Sequence, residues 1–208
     1  MTKVKICGIT SSREIEFLNK YMPDYIGFVF AESRRQVTPD RAASLAAVLN
    51  KKVKRVGVFV NADPKYVAET TKTAGLDVLQ LHGEEDSRYI SQIRSMVRSG
   101  TEIWKAFRIG PGHLLDKSLT SSLGADRILL DTFAAVSPGG TGKCFDWGLV
   151  SGLDVGRPLV LAGGLSADNI RDAIGMLSPF AVDTSSGVEE NGEKSEGLVK
   201  EFIKAVRI

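Results

Sequence analysis

Residues 25–49 read YIGFVFAESRRQVTPDRAASLAAVL. The first six are aromatic or apolar around a single glycine, the composition of a buried strand. A polar stretch, AESRRQ, follows, and Thr38-Pro39 then marks a helix start, with the hydroxyl as N-cap and proline as the first helical residue. Ala42, Leu45, Ala46 and Leu49 lie at i, i+3, i+4 and i+7, so one face of that helix is apolar. A strand buried on both sides, followed by a helix that covers it, is the βα unit of a parallel sheet. The stretch therefore predicts a fold built by repeating that unit.

The unit recurs along the chain. Apolar runs stand at VKIC (4–7), YIGFVF (25–30), RVGVFV (55–60), VLQLH (78–82), IWKAF (103–107), RILLD (127–131), LVLAG (159–163) and FAVDT (180–184). Helical spacing lies between them. Asp63-Pro64 repeats the start signal, and Ile90, Ile93 and Val97 mark a fourth helix with Gly100 placed to end it. Ile170, Ala173, Ile174 and Leu177 mark another, with Ser166 as its cap, and Val199, Phe202, Ile203 and Val206 mark the last. Segments 113–124 and 145–153 read as weaker helices. Eight βα units in 208 residues predict one α/β domain, residues 1–208, folded as a closed (β/α)8 TIM barrel. An open dinucleotide-binding sheet is disfavoured, because no G-x-G-x-x-G follows the first strand.

Composition excludes several partners. With 43% hydrophobic and 25% charged residues the chain is an ordinary globular one, and a net charge of +2 offers no broad basic face to nucleic acid or a membrane. No apolar run nears the roughly 18–20 residues that span a bilayer, and no signal-peptide pattern opens the chain, so a cytoplasmic protein is expected. The two cysteines, Cys7 and Cys144, lack CxxC spacing, and the two histidines, His82 and His113, are too few for a multi-histidine metal site. Neither metal nor cofactor is expected. Oligomeric state is not legible from the sequence.

In a (β/α)8 barrel the C-terminal strand ends converge on one mouth, where chemistry collects. Here those ends supply Cys7, Phe30 with AESRRQ, Asn61, Gln80 with His82, Arg108, Asp131, Gly163-Gly164, and Asp183 with TSSG. Gly163 and Gly164, with Ser185, Ser186 and Gly187, leave backbone N–H groups uncovered beside helix starts, which suits a phosphate dianion. Taken alone, AGG reads rather as a tight βα turn and SSG as a helix cap. On adjacent strands they favour a small phosphorylated ligand.

Alternation puts Lys3, Lys5 and Cys7 on one face of the first strand and Val4 and Ile6 on the other. If Val4 and Ile6 pack on the helices, the thiol faces the mouth. A neighbouring ammonium would raise its thiolate fraction, and Lys5 is the nearest candidate. A free cysteine is also a common buried hydrophobe, and that alternative stands beside the reactive one. Asp131 shares a face with Arg127 and Leu129, and partial desolvation at the mouth would suit it to general-acid work. An N-cap or an ion-pair partner is the alternative. Arg34 and Arg35 could fork onto a carboxylate, although paired loop arginines are also ordinary surface charge. GGTGKC at 139–144 fails as a P-loop, since Ser137 stands where the first glycine belongs and Cys144 replaces Ser/Thr. It reads instead as a mobile loop over the mouth, with a glycine-rich linker as the alternative and Cys144 structural or incidental.

Taken together, KICGIT, GFVFAESRRQV, GVFVN, LQLHGEE, ILLD, GGTGKCFDW, LAGGLSADNI and DTSSGVEENGEK resemble the phosphoribosylanthranilate isomerase family of tryptophan biosynthesis, an aromatic amino-acid pathway. The resemblance spans nearly the whole chain. It implies an aldose–ketose isomerase that carries out the Amadori rearrangement of N-(5-phosphoribosyl)anthranilate without metal or organic cofactor. It further implies Cys7 as general base, Asp131 as general acid, Arg35 on the anthranilate side, and phosphate at Gly163, Gly164, Ser185, Ser186 and Gly187. Gln80, His82 and Asp183 are the remaining substrate-binding candidates. The family usually has Ser-Pro-Arg where this chain has Ser33-Arg34-Arg35, which leaves open whether Arg34 or Arg35 reaches substrate. It usually has aspartate where Ser195 stands, a helix-cap exchange.

Three alternatives remain. One is an isomerase acting on a related phosphorylated aminoaldose, and another is a non-catalytic phosphosugar-binding barrel, which would keep the cradle and lose the acid–base pair. A phosphosugar epimerase or aldolase would need a histidine set or a Schiff-base lysine at a strand end. His82 is the one strand-end histidine, and Lys105 lies inside its run.

Overall fold

The computed structural model describes residues 1–109, 120–121, 123–131, 147, 150, 152 and 154–207. Strands β1 (Lys3–Cys7), β2 (Tyr25–Val29), β3 (Lys54–Phe59), β4 (Val78–Leu81), β5 (Glu102–Arg108), β6 (Arg127–Asp131), β7 (Leu159–Ala162) and β8 (Ala181–Thr184) pair in chain order. Every pair is parallel, and β8 returns to β1 through Lys3↔Ala181, Val4↔Val182, Lys5↔Asp183 and Ile6↔Thr184. The fold is a closed (β/α)8 barrel, and each strand boundary falls within one residue of its sequence expectation.

The described helices are α1 (Ser12–Tyr21), α2 (Pro39–Ala47), α3 (Pro64–Thr73), α4 (Ser87–Met96), α5 (Ile170–Leu177) and α6 (Glu196–Arg207). Thr38 caps α2 by accepting the Arg41 N–H at 3.2 Å, and Asp63 caps α3. A Ser11–Glu14 capping box opens α1. Three boundaries differ from the sequence reading, the first being that α2 ends at Ala47 and leaves Leu49 beyond it. α4 ends at Met96, so Gly100, with φ of +90°, serves the turn into β5 instead of the helix end. α5 starts after Asn169, because Ser166 forms a preceding turn in which its N–H donates to Asn169 Oδ1 at 2.9 Å. His113, Cys144 and the GGTGKC loop lie outside the described residues, as do most of the two weaker helix candidates.

Period-two alternation sorts the strand residues into two apolar layers. Val4, Ile6, Ile26, Phe28, Leu81 and Ile103 face the helices, whereas Tyr25, Val56, Val78, Trp104, Leu129 and Val160 fill the barrel interior. With Val4 and Ile6 turned outward, Lys5 and Cys7 turn inward. Gly27, beside Cys7 in register, makes this possible: a Cβ there would lie 2.7 Å from Cys7 Sγ and 3.2 Å from Lys5 Nζ.

Candidate active site

The C-terminal strand ends enclose a cavity of about 420 Å³ whose lining includes Cys7, Arg35, Gln80, His82, Asp131 and Asp183. Gly163, Gly164, Ser185, Ser186 and Gly187 belong to the same lining. The eleven residues to which the sequence assigns catalytic, substrate or phosphate roles are thus brought to one place, whereas the strand-end residues Phe30 and Asn61 are not among its lining. Arg34 is not among the lining residues; it borders a neighbouring groove instead.

At the base of the cavity, Lys5 is fully buried and its Nζ donates to Asp183 Oδ2 at 2.6 Å. Burial opposes the lysine charge, but Asp183 and then Cys7 hold its pKa above the ordinary value. Burial also pushes the Cys7 thiol up. Lys5 pulls that thiol down and Asp183 pushes it up again, so the expected tuning by Lys5 exists but is outweighed. Among the described residues Asp183 Oδ1, which is buried, has no hydrogen-bond partner.

On the β4 and β6 side, Gln80 Nε2 lies 3.1 Å from His82 Nδ1, and His82 Nε2 lies 3.3 Å from Asp131 Oδ2. With the amide N–H donating, Nδ1 accepts and the ring proton sits on Nε2, facing the carboxylate. Gln80 Oε1 is left buried and without a partner among the described residues.

The glycine turns are held tightly together. A Cβ on Gly187 would lie 1.9 Å from the Leu165 carbonyl oxygen, so only glycine lets the β8 turn close on the β7 turn. Thr184 Oγ1 donates to the same carbonyl at 2.7 Å. Gly163 and Gly164 both take positive φ, 93° and 63°. Ser185 Oγ donates to the Cys7 carbonyl at 2.9 Å, tying this turn to β1.

Glu189 and Lys194 were not read as functional in the sequence. They lie on the short hairpin β9 (Glu189–Glu190) and β10 (Glu193–Lys194). Asn191-Gly192, both at positive φ, form its turn, and the Asn-Gly pair was the available signal. Arg35 forks onto Glu189 through Nε at 2.7 Å and Nη2 at 2.8 Å, leaving Nη1 outside the fork. Lys194 donates to Glu189 at 2.6 Å, and Arg34 adds a short contact to the same carboxylate. Burial works to raise the Glu189 pKa, but Arg35 and Lys194 overcome it and hold it at about 2.

Fold and mouth together define a (β/α)8-barrel protein whose thiol, carboxyl groups and glycine turns share one cavity. The family model for N-(5'phosphoribosyl)anthranilate (PRA) isomerase matches residues 4–205, and the chain belongs to that family. It is 43% identical to the N-(5'-phosphoribosyl)anthranilate isomerase of Clostridium acetobutylicum, over all of this chain and 98% of that protein. The phosphoribosyl anthranilate isomerase of Thermotoga maritima superposes with a TM-score of 0.84 at 37% identity, covering 100% of this chain and 99% of that one. A further solved isomerase is in complex with reduced 1-(o-carboxyphenylamino)-1-deoxyribulose 5-phosphate. It is 35% identical, with a TM-score of 0.80 over 100% of this chain and 99% of that one. Among the described residues no helix is long and apolar enough to cross a membrane.

Proposed function

We propose that the chain isomerises N-(5'-phosphoribosyl)anthranilate to 1-(2-carboxyphenylamino)-1-deoxyribulose 5-phosphate, with Asp131 as general acid and Cys7 as general base, residues 1–208 acting as one domain. The observation that carries these roles is that Cys7 and Asp131 line one cavity with the glycine turns of β7 and β8. In this reading the phosphate lies on the backbone N–H groups of Gly163, Gly164, Ser185, Ser186 and Gly187. Arg35 Nη1 meets the anthranilate carboxylate, while the fork onto Glu189 holds the guanidinium still. The orphaned acceptors Gln80 Oε1 and Asp183 Oδ1 accept from ribose hydroxyls, which completes two buried valences.

Reaction begins when Asp131 gives its proton to the ribose ring oxygen as the C1–O bond breaks. The anthranilate nitrogen lone pair then forms a C1=N iminium. His82, with its Nε2 proton toward Oδ2, stabilises the carboxylate that Asp131 leaves behind. The Cys7 thiolate removes the C2 proton, and the C–H electron pair forms C1=C2 and neutralises the iminium to an enolamine. Tautomerisation, with a proton arriving at C1 and the enol proton leaving, yields the C2 ketone. A raised thiol pKa reduces the thiolate population but makes each thiolate a stronger base toward carbon. The iminium charge formed in the first step favours that thiolate at the moment it is needed.

The test follows consumption of N-(5'-phosphoribosyl)anthranilate by the wild type, Cys7→Ala and Asp131→Asn. Each variant is expected to lose about 10²–10⁴-fold in kcat. Normal turnover in both would overturn the mechanism, and a wild type that binds without turnover would establish the non-catalytic barrel instead.

A further inference from the structure

We infer that Lys105 and Glu85, a buried ion pair outside the cavity, are positioning residues that hold His82 against Asp131; the inference rests on the reading of Asp131 as the acid. Lys105 lies on β5 in register with Leu81, between Trp104 and Ala106, both of which face the barrel interior. Its side chain therefore points to the helix side of the sheet, where Leu81, Ile103 and Phe107 pack. An ammonium in that apolar layer is costly to desolvate, and replacing such a buried ion pair as a whole by well-packed hydrophobic residues is often neutral or stabilising. Stability does not explain the pair.

Its hydrogen bonds do. Lys105 Nζ, 4% exposed, reaches Glu85 Oε2 at 3.1 Å and the carbonyl oxygens of Gly83 at 2.5 Å, Ala106 at 3.2 Å and Leu81 at 3.4 Å. Glu85 in turn accepts the N–H of Gly83 at 2.9 Å and of Asn61 at 2.8 Å. The peptide groups on both sides of His82 are thus gripped by one pair of charges. The His82 N–H donates to the Phe59 carbonyl at 2.8 Å, which fixes the third side of the turn. With this backbone immobilised, the only freedom left to His82 is in its ring, which Gln80 and Asp131 hold from either end. Neither Lys105 nor Glu85 lines the Cys7 cavity, so the pair acts through His82 without touching substrate there.

Lys105→Met leaves Glu85 as a lone buried charge and risks unfolding, so the informative variant is Lys105→Met/Glu85→Gln, which removes both charges together. In the folded double variant kcat is expected to fall about ten- to a hundredfold with KM within about twofold, since a misplaced catalytic group costs rate more than binding. Adding His82→Asn to it should lower kcat no further than His82→Asn alone. The ¹⁵N resonances of the His82 ring should also move from a fixed Nε2–H tautomer toward an averaged one. Unchanged kcat, a loss additive with that of His82→Asn, or an unmoved ring spectrum would each overturn the inference. If Asp131→Asn turns over normally, the acid assignment falls and this inference with it. If Asp131→Asn is inactive while the double variant is fully active, the inference alone falls.

Discussion

The two ends of the barrel use the same residue types to opposite effect. At the N-terminal end Glu102 accepts from Lys54 at 2.7 Å, Arg127 at 3.0 Å and Trp104 Nε1 at 3.2 Å, and Arg127 lies 3.7 Å over the Phe180 ring. Burial works to raise the Glu102 pKa, yet Lys54, Trp104 and Arg127 together hold it below the ordinary range. At the C-terminal end Gln80 Oε1 and Asp183 Oδ1 are buried without partners among the described residues, and the Cys7 thiol is pushed up. A buried unpaired acceptor costs about 1–3 kcal/mol, so two of them at one mouth are tolerated where a ligand supplies the missing donors. At one end the charges around Glu102 are paired with each other; the other keeps open valences for substrate.

Breaking the contrast at its strongest point means removing Lys5 from beneath the mouth. Lys5→Met leaves Asp183 buried without its counter-ion, and we expect a loss of about 3–5 kcal/mol in denaturant unfolding. The same variant should move the Cys7 thiol-reactivity titration to higher pH, and an unchanged curve would remove Lys5 from the tuning of Cys7. Next comes the rim, where Glu189→Gln weakens charge-assisted hydrogen bonds worth about 1.5–3 kcal/mol at neutral pH. Because the folded Glu189 pKa is depressed to about 2, its stabilisation is present above the ordinary glutamate pKa and is lost as pH falls through that range toward 2. The gap between wild type and Glu189→Gln should therefore close on acidification; a pH-independent gap would place the effect in packing instead. The smallest effect is expected at the N-terminal end. Glu102→Gln should cost about 1 kcal/mol with kcat unchanged, and a drop in kcat would show that the two ends are not separable.

How far the sequence carried these conclusions depended on the range of the signal. Strand positions were legible because parallel strands buried on both faces leave continuous apolar runs, and RILLD matches β6 (Arg127–Asp131) residue for residue. Helix starts at Thr38-Pro39 and Asp63-Pro64 were legible for the same local reason. The site residues followed from topology, which lines up strand ends. What they touch did not follow. Lys5 in an inward position predicts an ammonium near Cys7, but not that Asp183, 178 residues away in sequence, claims it first. Gln80 and His82 were strand-end candidates, yet nothing local says that His82 faces Asp131 from a different strand. Glu189 carries no mark beyond a hairpin turn, and its role comes from arginines 154 and 155 residues away.

Those separations have a consequence for how the molecule is made. Lys5–Asp183, Cys7–Ser185 and Arg35–Glu189 all join the first fifth of the chain to its last. Closing loops that long carries a large entropic cost before any contact forms, so such pairings come late in folding. On the ribosome the thiol, the glycine turns and the arginine cannot meet until β8 and its hairpin have emerged. A nascent or C-terminally clipped chain would keep most of its βα units but have no substrate mouth.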